Sequence, residues 1–217
     1  MKPYILAIDS STSVLRVGLS LKDDSIVSFE NTGRYRHSQF IFGMIAKLLA
    51  DNGVIRPQIS AVVVSVGPGS FTGLRVGMAA AKGIATALSI NLAGVSTFNA
   101  VSPRLFQQFG KTYVLIPSRR DEYYLGLIDA PQFDDRNITV DRITGIAGRC
   151  RGARLYGVGC EPDRKILADC EIIRPAEFAL AIDDFLVGGI SRLAAGGDDI
   201  ARLEPLYIQQ FPAEAKK

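Results

Sequence analysis

The stretch SVGPGSFTGLRVGMAAAKGIA, residues Ser65–Ala85, decides how the chain is read. It follows an apolar run, ISAVVVSVG (Ile59–Gly67), which has the length and β-branched content of a buried strand. Gly67-Pro68-Gly69 then forms a sharp turn, and Ser70 or Thr72 is placed to cap a helix of small residues expected over Gly73–Leu88. Glycines ahead of a helix suggest a phosphate cradle, because free amides at a helix start attract anions. Neither common fingerprint fits. A P-loop needs Gly-Lys-Ser/Thr after four intervening residues, and from Gly67 or Gly69 those positions hold Thr72 or Leu74 with no Lys following. The dinucleotide pattern G-x-G-x-x-G needs its third glycine one place before Gly73. The remaining readings are an unconventional anion site, close packing against the chain's own sheet, or close packing against a partner.

Outward from this stretch the pattern is mixed α/β. YILAID (Tyr4–Asp9) reads as a buried strand, VLRVGLSL (Val14–Leu21) alternates, and IVSFENT (Ile26–Thr32) returns antiparallel after the turn Lys22–Ser25. RHSQFIFGMIAKLLADNGV (Arg36–Val54) carries Phe40, Ile41, Met44, Ile45, Leu48 and Leu49 on one helical stripe, with Ser38 as the expected N-cap and Asn52-Gly53 as the stop. NLAGVST (Asn91–Thr97) is a further strand. An antiparallel start followed by strand–helix–strand argues against a simple doubly wound sheet and for a ribonuclease-H-like one. After Pro103, KTYVLIPS, DEYYLGLID and ARLYGVG read as strands, and PAEFALAIDDFLVGG (Pro175–Gly189) as a helix ending at Gly188-Gly189. Two subdomains are expected, residues 1–103 and 104–217, side by side without a linker.

With 217 residues, 47% hydrophobic and 22% charged, the composition is that of an ordinary folded protein. A net charge of +3 is too small to argue for nucleic acid, and the Arg119-Arg120 and Arg149/Arg151/Arg154 groups read as solvated charge. Cys150, Cys160 and Cys170 are an odd number without a C-x-x-C pair, which suits free thiols rather than zinc or disulfides. Asp9 interrupts the only early apolar run, so neither a signal peptide nor a membrane span is expected, and the cytoplasm is the expected location. His37 is the sole histidine; a zinc or iron site and most histidine acid–base schemes lack their residues, and beside Ser38 it reads as part of a helix start. AIDSSTSVLRVGL resembles the first phosphate turn of sugar kinases, actin and Hsp70, making Asp9, Ser11 and Thr12, with Gly67 and Gly69, the candidate nucleotide positions. The same residues could equally stabilise a hairpin through Asx and Ser/Thr turns.

Taken together, ILAIDSSTSVLRVGLS, RHSQFIFGMIAKLLADNGV and VVSVGPGSFTGLRVGMAAAKGIA resemble the bacterial TsaB (YeaZ) family over Met1–Val101. The likeness continues in SRRDEYY, similar to D-A-R-x-x-E-x-Y, and in EPLYIQQ, similar to P-x-Y-L-R. Pro117 replaces the family's Asp and Gln209 its tail Arg, and Arg136–Cys170 matches nothing. The resemblance implies two duplicated subdomains of the actin/sugar-kinase/Hsp70 superfamily. It also implies a non-catalytic scaffold or activator in making threonylcarbamoyladenosine beside the tRNA anticodon. ATP and metal would sit on a TsaD-type paralogue, a TsaE-type ATPase would join, tRNA would be met through the complex, and self-association as a homodimer is expected without the partner. The helices over His37–Asp51 and Thr72–Leu88 would dock the paralogue, with His37, Phe40, Ile41, Met44, Leu48, Leu74, Met78 and Lys82 as contacts. The rival readings are an autonomous ATP-dependent phosphotransferase or nucleotide-binding protein of the same superfamily and, last, a metallopeptidase, which lacks metal ligands.

Overall fold

A computed structural model describes residues 4–33 and 36–208. The first three strands, β1 (Tyr4–Asp9), β2 (Leu15–Ser20) and β3 (Ile26–Asn31), form an antiparallel meander. Helix α1 (His37–Asp51) then leads to β4 (Ile59–Gly67), helix α2 (Phe71–Leu88) and β5 (Asn91–Ser96), with β1, β4 and β5 mutually parallel. The strand order is β3-β2-β1-β4-β5. After helix α3 (Thr97–Phe109) the pattern repeats. Strands β6 (Thr112–Pro117), β7 (Glu122–Ile128) and β8 (Thr139–Arg142) are antiparallel; β9 (Arg154–Gly157) and β10 (Glu171–Ile173) continue parallel to β6. The order β10-β9-β6-β7-β8 is the first sheet's order again. Both halves are ribonuclease-H-like mixed sheets. Short α4 (Ile143–Arg149) lies between β8 and β9, and α5 (Ile182–Ala194) follows β10.

Period-two alternation sorts the strand residues between two cores. Leu6, Ile8, Val62 and Val64 meet Ile41, Ile45, Leu48 and Met78 of α1 and α2. Ile5, Ala7, Ala61 and Val63 face the other way, toward Phe185 and Leu186 of α5 and Phe98 of α3, and this core runs on to Val114 and Ile116 of the second sheet. A smaller core of Leu115, Leu125, Ile146, Cys150 and Leu155 closes the far side. The layers are therefore α1/α2, first sheet, α3/α5, second sheet, α4.

Several expectations change. The division at residue 103 falls inside α3, and α5, although late in the chain, packs on β5, β4 and β1 of the first sheet. The last helix expected at Pro175–Gly189 begins instead at Ile182, and Gly188-Gly189 lie inside it. Gly189 is there because a Cβ would collide with Val63; it lets α5 settle onto β4 and is no stop signal. Helix α1 starts at His37, with Arg36 rather than Ser38 in the cap position. Helix α2 starts at Phe71, and Ser70 caps it by accepting from the Gly73 amide. Gly67, at φ +96°, takes a conformation open to glycine.

Candidate functional site

The β1–β2 turn and the start of α2 meet at one point. Asp9, fully buried, ends β1. Its Oδ1 accepts from the Ser11 amide (2.9 Å) and its Oδ2 from Arg16 Nη1 (3.0 Å). Arg16 stands opposite Asp9 in the β1–β2 ladder and is 8% exposed. Its Nε donates to Glu30 Oε1 (2.9 Å), and Nη1 also reaches Thr12 Oγ1 (3.2 Å). A guanidinium from the neighbouring strand thus pairs with the Asp9 carboxylate, and the pair satisfies two charges that would be costly to bury alone.

The glycines of the quoted stretch answer to the same turn. Gly69, in the turn just before α2, and Gly73 and Gly77 on α2 follow at four-residue intervals and face Ser10 and Ser11. A Cβ on Gly69 would strike the Ser11 carbonyl, one on Gly73 the Ser10 carbonyl, and one on Gly77 the Ser10 hydroxyl. The Ser70 amide donates to Ser11 O (2.7 Å), and the Gly73 amide is taken by Ser70 Oγ. The β1–β2 backbone is packed directly against these glycines, and the Ser70 and Gly73 amides are already bonded within the chain. Ser10 Oγ and Ser11 Oγ are buried without a hydrogen-bond partner. From α1, His37 Nε2 lies 3.0 Å from Thr12 O, so the histidine braces the turn. Beside it is a cleft of about 420 Å³ whose walls include Thr12, Ser13, His37, Ser70, Thr72 and, from the second lobe, Gly159. Its lining offers hydroxyls and one imidazole but no carboxylate or thiol. Among the described residues no three His, Cys, Asp or Glu side chains are grouped to hold a metal, and no helix is long and apolar enough to cross a membrane.

The outer face of α1 and α2 is the second candidate surface. Of the expected contacts, His37, Ile41, Leu48, Leu74 and Met78 are buried, Met44 and Lys82 are half-buried, and Phe40 is exposed. In the isolated chain the apolar stripe is the side of each helix that faces the chain's own sheet, and Ile41, Leu48 and Met78 pack into its core. What points outward is Phe42, 60% exposed, with Gly43 and Ala46 on α1, and Arg75, Ala79, Gly83 and Ala87 on α2. Phe42, Ala46, Gly83 and Ala87 border a groove of about 360 Å³ floored by Ile45, Leu49 and Ile84. Nothing lies within 4 Å of a Cβ built on Gly43 or on Gly83. Each mid-helix glycine costs about 1 kcal/mol of helix propensity relative to alanine, and among the described residues no contact accounts for either.

Elsewhere, Arg119 pairs with Glu122 (3.5 Å), and with Arg120 and Asp121 it forms an exposed β6–β7 hairpin tip. Pro117 ends β6 and is exposed. Of EPLYIQQ, Glu204–Ile208 fall within the described residues, whereas Gln209 and Gln210 lie outside them. All three cysteines are free, and burial pushes the Cys150 and Cys160 thiols up to about 11. Two features escaped the sequence reading. The Asp9–Arg16 pair is set by hairpin register, and only the positions flanking the turn hinted at it. The outward glycines were hidden among the inward ones, since identical residues on one helix differ only in which way they face.

Residues 31–167 match the family model described as TsaD, tRNA N6-adenosine threonylcarbamoyltransferase, which is well over half of the chain. The chain is 35% identical over 122 residues to the tRNA threonylcarbamoyladenosine biosynthesis protein TsaB of Escherichia coli, covering 55% of this chain and 52% of that protein. It is 32% identical over 123 residues to the TsaB protein of Bacillus subtilis. The chain belongs to the TsaB (YeaZ) family. That family is one of tRNA threonylcarbamoyladenosine biosynthesis proteins. An uncharacterized protein of Mycobacterium tuberculosis is 28% identical over 212 residues, 97% of this chain and 93% of that one. YeaZ from Pseudomonas aeruginosa superposes with a TM-score of 0.73 over 95% of this chain and all of that chain at 21% identity, a likeness of fold.

Proposed function

We propose that this TsaB-family chain is a non-catalytic, cytoplasmic subunit of the assembly that transfers the threonylcarbamoyl group to tRNA, and that it docks a TsaD-type paralogue through the outer face of α1 and α2. The observation that carries this reading is the pair of outward glycines, Gly43 and Gly83, beside Phe42 and the open groove. Small residues on a helix surface let a second helix approach closely, and an exposed phenylalanine beside them supplies an anchor. The match to the TsaD model supports a paralogous partner, because a partner of the same fold presents helices of matching shape. Without the paralogue, the same face would pair two copies of this chain.

The non-catalytic part of the reading rests on the β1–β2 turn. With Asp9 paired to Arg16 and the turn's backbone seated against Gly69, Gly73 and Gly77, the candidate nucleotide positions are engaged with one another. ATP and metal are assigned to the paralogue, with a TsaE-type ATPase joining the assembly and tRNA engaged through the complex. The test is reconstitution of threonylcarbamoyl transfer with the paralogue and tRNA. The chain alone should be inactive, should raise the paralogue's rate, and should lose that effect as Gly83→Arg, a substitution whose side chain meets open space in the isolated chain. Full activity without the chain would sink the proposal. Tight magnesium-dependent ATP binding by the isolated chain would instead favour the phosphotransferase reading.

A further inference from the structure

The chain between α5 and residue 208 runs back along α2 on the flank away from α1. Lys82 Nζ donates to Ala201 O (3.3 Å), and the Leu206 amide donates to Val66 O (2.7 Å). This path delivers Tyr207 to the first turn of α2, where its ring lies 5.9 Å from that of Phe71. Arg75 is built into the pair. Its guanidinium carbon sits 3.9 Å above the Phe71 ring and 6.0 Å from that of Tyr207, and its Nε donates to the Tyr207 hydroxyl (3.2 Å). Phe71 and Tyr207 nonetheless remain 40% and 44% exposed. Among the described residues Arg75 has no carboxylate partner, a state it shares with Arg36, Arg56, Arg120, Arg142 and Arg164, but it alone of these is held by aromatic rings. Stacking and the Nε bond hold the planar group, and neither Nη1 nor Nη2 makes a hydrogen bond among the described residues.

We infer that Arg75 is a specificity residue of the docking face, and that its fork takes a carboxylate on the docked paralogue at the rim beside Phe71 and Tyr207. This rests on the docking proposed above and adds the chemistry of the partner's rim. Arg75 is four residues before Ala79 and eight before Gly83, so it stands on the same outward stripe of α2. An arginine fixed between exposed aromatic rings is the composition of a protein–protein hot spot. On this stripe of α2 the exposed residues beyond Arg75 are Ala79, Gly83 and Ala87, which carry no charge, and this favours a protein surface over RNA phosphate.

The test is the affinity of the purified chain for the purified TsaD-type paralogue at 50 and 300 mM salt, with thermal melting as the folding check. Gly83→Arg should abolish binding; if it does not, or if the wild-type proteins do not bind, the docking reading fails and this inference with it. Given intact docking, Arg75→Gln should weaken binding about tenfold at low salt and flatten its salt dependence. Arg75→Lys should recover the salt dependence but only part of the affinity, since an ammonium cannot form the fork. Tyr207→Phe, which removes only the Nε tether, should cost about two- to threefold, a loss in lost preorganisation. If Gly83→Arg blocks docking while Arg75→Gln and Arg75→Glu bind the paralogue like wild type, Arg75 is no rim contact. If Arg75→Glu weakens only binding to tRNA, its partner is phosphate and the inference is likewise overturned.

Discussion

Gly83→Ala should move stability and docking in opposite directions. Gly83 sits in the middle of α2 with helical backbone, and nothing lies within 4 Å of the added methyl. In the isolated chain the change only removes glycine's excess freedom in the unfolded state, worth about 1 kcal/mol. For a chain of this size, that raises the melting temperature by about 2–4 °C. In the docked state the same methyl would stand where a partner helix is proposed to pass. Overpacking a close contact costs about 1–3 kcal/mol, equivalent to about five- to 150-fold in affinity. Scanning calorimetry of the isolated chain and titration against the paralogue measure the two quantities separately. Gly43→Ala offers the same comparison on α1. A variant that melts higher and binds the paralogue as tightly as wild type would refute the close-approach argument, because the glycine would then serve neither the fold nor the interface.

Other substitutions probe the interior of the same region. Gly73→Ala drives a methyl into the Ser10 carbonyl, so it should destabilise by about 2 kcal/mol or more, read from denaturant midpoints, in contrast to Gly83→Ala. Asp9→Asn leaves Arg16 buried with only Glu30 and hydrogen bonds to compensate, and should cost about 3 kcal/mol of folding stability. The buried Cys150 and half-buried Cys160 thiols, pushed up to about 11 from an ordinary 9.0, should alkylate at pH 8 about a hundredfold more slowly than in the unfolded chain. Because the folded state keeps these protons longer than the unfolded state, their contribution to stability is complete below about pH 9 and is lost as pH rises toward 11. Denaturation midpoints at pH 8, 9.5 and 10.5 would follow that decline.

The first sheet was readable because each of its strands has its own local signature. Alternation in Val14–Leu21, the apolar runs at Tyr4–Asp9 and Ile59–Gly67, and the turn at Lys22–Ser25 each act over a few residues. In Arg136–Ile173 only ARLYGVG, which holds β9, gives such a signal: β8 and β10 have four and three residues and α4 has seven. Elements that short are held by their neighbours in the sheet and by Ile146 and Leu155 in a shared core, which no local window contains. Helix α5 was misplaced for a related reason. Gly188-Gly189 look like a stop until Val63, far away in sequence, is seen to need the space.

The sequence alone determined that the glycine-rich stretch joins a buried strand to a helix, and that its spacing suits neither common nucleotide loop. It also carried the family likeness, since that lies in the order of residues along the chain. Which way each residue faces was decided only by the tertiary structure. Gly73 and Gly77 turn inward to admit the β1–β2 turn, while Gly83, on the same helix, turns outward to empty space. The apolar stripe of α1 and α2 marks the core, and the side left exposed behind it carries small residues. A helix repeats every 3.6 residues whatever it touches, so its periodicity gives the faces and only packing says which of them the protein has already used.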